Sequence, residues 1–391
     1  MRSAPRFMNT RQWLERLVAF DTTSRNSNLD LIESVREGLS AQGVTAELFT
    51  SPDKRKANLF ATLPAQDGAT DGGIILSGHT DVVPVDGQNW SSDPFKLTER
   101  EGKLFARGSA DMKGFIATSM ALVPEFLAMP RKKPIHLAFS YDEEVGCMGA
   151  PVMLNELKRR GIKAEGCIVG EPTGMQPVVA HKGINLYRCS VHGKPAHSSL
   201  TPQGCNAIEY AARLICRIRD IADQFRANGP YDECFDVPFT TVGTNLVRGG
   251  IAVNTIPDLC EFQYEIRNLP GVSPGDIHAQ VERYVQEELL PRMQKEFAGA
   301  GIRFDPVAAA PGLETAEQEA VTQLVRALTG DQSIRKVAYA TEGGLFQGIG
   351  IPTVICGPGH IEHAHSPDEF VAIDQLEACE GFLRKLGRSL V

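Results

Sequence analysis

With 391 residues, 42% of them hydrophobic and 23% charged, the chain can bury a large core and has the composition of an ordinary globular protein. A net charge of −8, from 40 basic and 48 acidic residues, excludes the basic footprint that nonspecific nucleic-acid binding needs. No apolar run reaches the ~18 residues of a membrane span, and MRSAPRFMNTRQWLERLVAF at the start lacks an apolar h-region and a small-residue cleavage site, so neither membrane insertion nor a signal peptide is expected.

Two domains are expected at roughly 100–200 residues each. RQWLERLVAF and NLDLIESVREGLSAQG carry apolar residues at helical spacing, and AELFT and NLFATLP read as short strands. Short apolar runs ending in polar clusters then recur. GGIILSGHTD ends in His79 and Asp81, IHLAFSYDEE in three adjacent acids, GCIVGEPTG in Glu171, and IPTVICGPGHIEHAHSPDE in a segment with three histidines. Such runs suit strands buried on both faces, and the helical patterns MKGFIATSMALVPEFL and APVMLNELKRRG between them predict an α/β fold with a mainly parallel sheet. Ligands of such folds bind beyond the carboxyl ends of the strands, where each polar cluster falls.

Between about residues 180 and 307 the pattern changes. INLYRCSVHG and CEFQYEIR alternate as half-exposed antiparallel strands do, and two long segments, from Cys205 and from Pro274, read as amphipathic helices. This is an α+β insert. The predicted organisation is a catalytic domain over 1–179 and 308–391, interrupted by a second domain over 180–307. Nine cysteines include no C-x-x-C pair; Cys167, Cys189, Cys260 and Cys356 read as small core residues, which suits a reduced, cytoplasmic compartment.

The three acids Asp142, Glu143 and Glu144 repel one another unless a cation lies close. His79, Asp111, Glu144, Glu171 and one of the C-terminal histidines together offer nitrogen and carboxylate oxygen, donors that suit zinc and, less selectively, cobalt or manganese. Two dications would balance three carboxylates and a bridging hydroxide, and a metal pair about 3.5–4 Å apart can share a carboxylate. Glu143 is then free to move a proton between water and a leaving amine. Asp81 is placed to accept the second ring N–H of His79. Asp142 is expected to be solvated or to cap a turn. No G-x-S-x-G elbow and no G-x-x-x-x-G-K-[ST] loop occurs.

The strings GHTDVVPVDGQNWSSDPF, ARGSADMKG, DEEVGCMGA, GEPTG, GKPAHSS and GPGHIEHAHSPDEF resemble the family of dizinc aminoacylases and carboxypeptidases that includes acetylornithine deacetylases and succinyl-diaminopimelate desuccinylases. The resemblance runs from Trp13 to the last helix. It implies a parallel-sheet, dizinc-exopeptidase-like catalytic domain with an inserted ferredoxin-like lid that also forms a homodimer. It implies that Asp111 bridges two zinc ions, that His79 and Glu171 complete one site, and that Glu144 and His365 complete the other. His360 and His363 are implied to stand apart. Glu143 is implied to be the general base, with Asp81 orienting His79, and the Asp111–Met112 peptide bond is a candidate for the cis form. In the lid, His197 resembles the residue that stabilises the oxyanion, often across the dimer, and Arg267 the clamp for the substrate carboxylate. Asn254 is a further candidate for substrate binding, and Gly343 for a close approach of substrate to backbone. The implied substrate is a small N-acyl amino acid. YATEGGLFQ with IEHAHSPDEF points toward N-acetyl-L-ornithine in arginine biosynthesis, with N-succinyl-diaminopimelate and other N-acyl amino acids as alternatives. A non-catalytic zinc module would lack ligands or base, and this chain carries the full set.

Overall fold

The computed structural model describes residues 7–391; of the opening stretch read above for a signal peptide, residues 1–6 lie outside the described residues. The four apolar runs are the strands Ile74–His79, Ile135–Ser140, Gly166–Pro172 and Thr353–Gly357, buried at every residue. Full burial along a strand requires cover on both faces of its sheet. These four pair in parallel, Ile74 opposite both Ile135 and Gly166, and Thr353 opposite Cys167. Ala57–Leu63 joins Ile135–Ser140 antiparallel, and Ala46–Thr50 extends that edge, also antiparallel. The result is a six-stranded mixed sheet whose parallel part carries the polar strand ends.

Helix Gly114–Ala128 is buried from Gly114 to Met120 and at Leu122, Val123 and Phe126, and it packs against Thr10–Val18 and Ile373–Ser389. Trp13, Leu17, Phe115, Phe126, Leu137, Phe139 and Leu383 belong to the resulting core. Two glycines let this helix reach the sheet. A Cβ on Gly170 would lie 1.9 Å from the Phe115 ring, and one on Gly78 would lie 2.9 Å from Met112 Cε. Each glycine stands one residue before a strand-end candidate ligand, Glu171 or His79. The absence of two side chains therefore brings the start of the helix, with Asp111, close to both strands.

The chain divides into two compact units, each considered by itself. The first comprises residues up to Ala180, Leu313–Lys336 and Thr341–Val391; the second, His181–Gly312 with Val337–Ala340. In the second unit, strand Ile184–His192, helix Ala207–Asn228, strands Thr241–Gly249 and Leu259–Arg267, helices from Pro274 to Glu296, and strand Gly301–Ala310 follow one another. Their sheet is antiparallel, with Leu259–Arg267 and Ile184–His192 inside and Thr241–Gly249 and Gly301–Ala310 at the edges. This is the β-α-β-β-α-β split arrangement of ferredoxin-like domains. Leu214, Ile218, Phe262, Tyr264 and Val281 form its separate core. The run KVAYATEGGLFQ adds no strand to the main sheet; it holds the two-residue strand Lys336–Val337 and the short helix Gly343–Gly348. No helix among the described residues is long and apolar enough to cross a membrane.

Candidate metal centre

His79 ends its strand, Glu171 lies next to the end of Gly166–Pro172, and Glu143 and Glu144 follow Ile135–Ser140 after a two-residue step. Asp111 sits in the turn Ser109–Lys113 ahead of helix Gly114–Ala128, and its peptide bond to Met112 is cis. His365 lies on the loop after Thr353–Gly357.

The Asp111 carboxylate divides between two imidazoles. Its Oδ1 is 2.9 Å from His79 Nε2, and its Oδ2 is 3.2 Å from His365 Nε2. Each imidazole also faces a second acid. Glu171 Oε1 is 3.7 Å from His79 Nε2, and Glu144 Oε2 is 3.0 Å from His365 Nε2. Ligand atoms of His79, Asp111 and Glu144 all lie within 4.8 Å of one another, as do those of His79, Glu143 and Glu171. Glu171 Oε1 is buried with no hydrogen-bond partner. An orphaned carboxylate oxygen normally costs free energy, and here it faces other donors rather than protein N–H groups. The donor set of nitrogens and oxygens without thiolate fits divalent cations.

The electrostatics agree. Burial, then the repulsion of neighbouring carboxylates, raises the carboxyl pKa of Glu143 and Glu171 well above the ordinary range and pushes Glu144 up to about 7. Hydrogen bonds to Asp111 and Glu144 push His365 up to about 10. The same imidazoles hold Asp111 down in spite of its burial.

Asp81 plays a different part from the one expected. The Nδ1 of His79 is 2.9 Å from the main-chain carbonyl of Asp81, whereas the Asp81 carboxylate is 3.6 Å away. That carboxylate instead accepts the backbone N–H of Glu143 at 3.0 Å and of Glu144 at 3.2 Å, and the hydroxyl of Ser24 at 2.7 Å. The residue thus fixes His79 through its backbone and the acid pair through its side chain. Glu143 Oε1 accepts a weak bond from the Cys147 thiol at 3.3 Å. Asp142 is not solvated; its Oδ1 pairs with Lys56 Nζ at 2.5 Å, with both side chains largely buried.

His363 stacks on Phe370, and the backbone of His360 bridges to Thr173, outside the ligand cluster. Gly343 is buried, and the space a Cβ would take is bounded by Leu313 at 3.0 Å, Thr341 at 3.2 Å and Thr353 at 3.4 Å. Its smallness therefore eases packing there. Its neighbour Glu342, which sequence reading passed over, is buried and accepts hydroxyl bonds from Ser77, at 3.2 Å, and from Ser140. Those serines lie on the two strands that deliver His79 and the acid pair. A lone acid inside the apolar string YATEGGLF was the available signal.

Three expected residues lie in the second unit. His197 is exposed on the short strand Ala196–His197, with Nδ1 2.8 Å from the Ser199 hydroxyl. It pairs with Thr255, and the carbonyl of the adjacent Asn254 accepts the Ser198 N–H at 3.0 Å, so the segments that carry His197 and Asn254 lie side by side. Arg267 ends strand Leu259–Arg267, its Nε 3.2 Å from Glu265 Oε1.

The family model described as peptidase family M20/M25/M40 matches residues 75–388. An acetylornithine deacetylase of Pasteurella multocida (strain Pm70) is 34% identical over 395 residues, covering 99% of this chain and 98% of that protein. One from Proteus mirabilis (strain HI4320) is 33% identical, covering 94% and 92%. Among solved structures, an M20 family metallo-carboxypeptidase of Sulfolobus solfataricus superposes with a TM-score of 0.77 at 18% identity, over 97% of this chain and all of that one, at 100%. A dinuclear metal-binding M20 peptidase of Bacillus subtilis superposes with 0.64 at 16% identity, over 97% and 96%. At these identities the structural matches establish the fold.

The raised carboxyl and imidazole values give the metal-free protein a defined pH response. A group whose folded pKa is raised contributes stability below its unfolded value and loses it as pH rises through the folded value. Glu143, Glu144, Glu171, His79 and His365 all shift upward, whereas the lowered values of Asp81 and Asp111 act only at more acid pH. Metal-free protein should therefore lose thermal stability relative to zinc-loaded protein as pH rises from ~5 to ~9, since shifts elsewhere in the chain are common to both. Unfolding curves in chelator and in zinc would measure this; identical pH slopes would contradict the assignment of the cluster to cations.

Proposed function

The chain belongs to peptidase family M20/M25/M40 and is a hydrolytic enzyme, and from that premise we propose that it cleaves the amide bond of N-acetyl-L-ornithine to acetate and L-ornithine in arginine biosynthesis. The observation that carries the chemistry is the division of Asp111 between His79 and His365, each backed by another acid. Support for the substrate comes from the nearly full-length likeness to proteins named acetylornithine deacetylase.

In this reading His79, Asp111 and Glu171 hold one zinc ion, and Asp111, Glu144 and His365 the other; cobalt or manganese suits the same donors. When bound, such a pair lowers the pKa of water and polarises the scissile carbonyl. Glu143 takes the proton from the attacking water and returns it to the amine nitrogen as the C–N bond breaks. Asp81 keeps Glu143 on station through its backbone N–H. In the second unit, Arg267 grips the substrate carboxylate in bidentate fashion. His197 donates to the carbonyl oxygen as negative charge develops there, and Asn254, on the paired segment, hydrogen-bonds the substrate.

The same reading makes the protein a homodimer. Strand Thr241–Gly249 is a sheet edge that exposes Leu246 and Val247, followed by Ile251 at 89% and Val253 at 102% exposure. An open apolar edge is an aggregation hazard unless something pairs with it, and a second copy answers that need. All nine cysteines are unpaired, which fits a cytoplasmic enzyme.

Zinc-loaded protein given N-acetyl-L-ornithine and N-succinyl-diaminopimelate side by side should prefer the acetyl substrate by ~100-fold or more in kcat/KM, about 2.7 kcal/mol of discrimination. Preference for the succinyl substrate would move the enzyme to diaminopimelate chemistry. Glu143→Ala should keep both metals by elemental analysis and lose ~10²–10⁴ in kcat; near-normal turnover would remove Glu143 as the base. Light scattering should give the mass of a dimer, and Val247→Asp should shift it toward monomer; a monomeric wild type would overturn the interface.

A further inference from the structure

Gln88, Arg107 and Glu369 lie outside the ligand cluster, yet they connect two of its members. Glu369 Oε1 accepts the backbone N–H groups of Ala110, at 2.9 Å, and of Asp111, at 3.0 Å. Its Oε2 pairs with Arg107 Nη1 at 2.6 Å, and both side chains are 1% exposed. Arg107 Nη2 donates to Gln88 Oε1 at 2.6 Å, and its guanidinium lies over the Trp90 ring. Trp90 Nε1 donates to the same Gln88 oxygen at 3.0 Å. With two donors on its oxygen, the Gln88 amide can face only one way. Its nitrogen then donates to the main-chain carbonyl of His365 at 2.8 Å. The circuit closes through the cluster itself, where His365 Nε2 meets Asp111 Oδ2.

His365 needs such a hold. Its φ is +61°, a left-handed conformation that costs a non-glycine residue about 1–2 kcal/mol. Its side chain is 52% exposed, so packing does little to fix it. His79, by contrast, is buried at the end of a strand that is paired on both sides, and it lies opposite Ser140 of the neighbouring strand. The Arg107–Glu369 pair is also better explained as a geometric device than as a source of stability. Burying two ions costs several kcal/mol, which their attraction offsets only when the remaining polar atoms are satisfied. Here Glu369 accepts both backbone N–H groups from the Asp111 turn, and Arg107 Nη1 also reaches the Ser366 carbonyl at 3.4 Å, next to His365, while Arg107 Nε is left without a partner.

Resting on the metal-centre reading above, we propose that Gln88 is a positioning residue that sets His365 for metal binding by holding its main-chain carbonyl, with the buried Arg107–Glu369 pair as the anchor. The arrangement favours the half of the centre shared with Glu144, because the other half has its imidazole on a buried strand. A hydrogen-bonded support behind a metal ligand is worth roughly 10–100-fold in metal affinity.

Two substitutions separate this role from a general effect on folding. Gln88→Ala removes the amide. Gln88→Glu keeps an oxygen for Arg107 and Trp90 but turns an acceptor toward the His365 carbonyl, so only that last contact is broken. Zinc affinity would be measured by chelator competition, with His365→Ala as the reference that identifies the affected site. Wild type is expected to bind two zinc ions, and both Gln88 variants to weaken the His365 site by ~10-fold or more. The other site and the melting temperature of zinc-free protein should stay near wild type. Wild-type affinity at both sites in Gln88→Glu would overturn the proposal, as would an equal loss at both. If wild type binds fewer than two zinc ions, or His365→Ala loses none, the metal-centre reading falls and this proposal with it. That failure would show in proteins whose Gln88 is intact.

Discussion

The rest of the first unit is arranged around the repulsion among carboxylates gathered in one buried place. Asp81, Asp111, Glu171 and Glu342 are all nearly inaccessible, and Glu143 and Glu144 stand beside them. Each would be unfavourable there alone, because removing a carboxylate from water costs more than burying apolar surface returns. The structure answers in two ways. Acids meant to stay ionised receive protein donors: Asp81 takes three, and Asp111 lies between two imidazoles. Glu171 keeps a lone oxygen without any. The unmet demand is concentrated where a cation would meet it.

Concentrating charge in this way requires a rigid frame, and the sheet supplies it. Strands buried on both faces cannot slip register without moving every apolar residue, so the position of a strand end is fixed by the whole strand. Gly78 and Gly170 then let one helix press against two of those strands, and that contact sets Asp111 against His79. The small residue before each of His79 and Glu171 has a packing reason as strong as the chemical reason for the ligand.

This division explains what could be read in the sequence. The strands were legible because full burial leaves unbroken apolar runs such as IILSG and IHLAF, and the candidate ligands were legible because each stands where such a run stops. The β-α-β-β-α-β order of the insert was only partly legible. Thr241–Gly249 and Gly301–Ala310 are half-exposed edge strands and leave weak patterns. Partnerships between distant segments left no local trace. Asp142 finds Lys56 across 86 positions, Glu342 finds Ser140 across 202, and Asp81 grips the acid pair across 62 and 63. Spacing within a segment says nothing of such meetings. For the same reason the sequence pairs Asp81 with His79 two residues away and is silent on the bonds its carboxylate makes beyond the adjacent parallel strand.

The two imidazoles also differ in how they are held. His79 is part of a strand, buried, and oriented by a carbonyl two residues on. His365 stands on an exposed loop in a left-handed conformation, and what fixes it comes from side chains elsewhere in the chain. A centre built this way has one half that is as rigid as the core and another whose geometry depends on a few hydrogen bonds. Changes to the sheet would disturb both halves together. Changes to the loop or its supports would reach the Glu144–His365 half first, leaving the His79–Glu171 half in place.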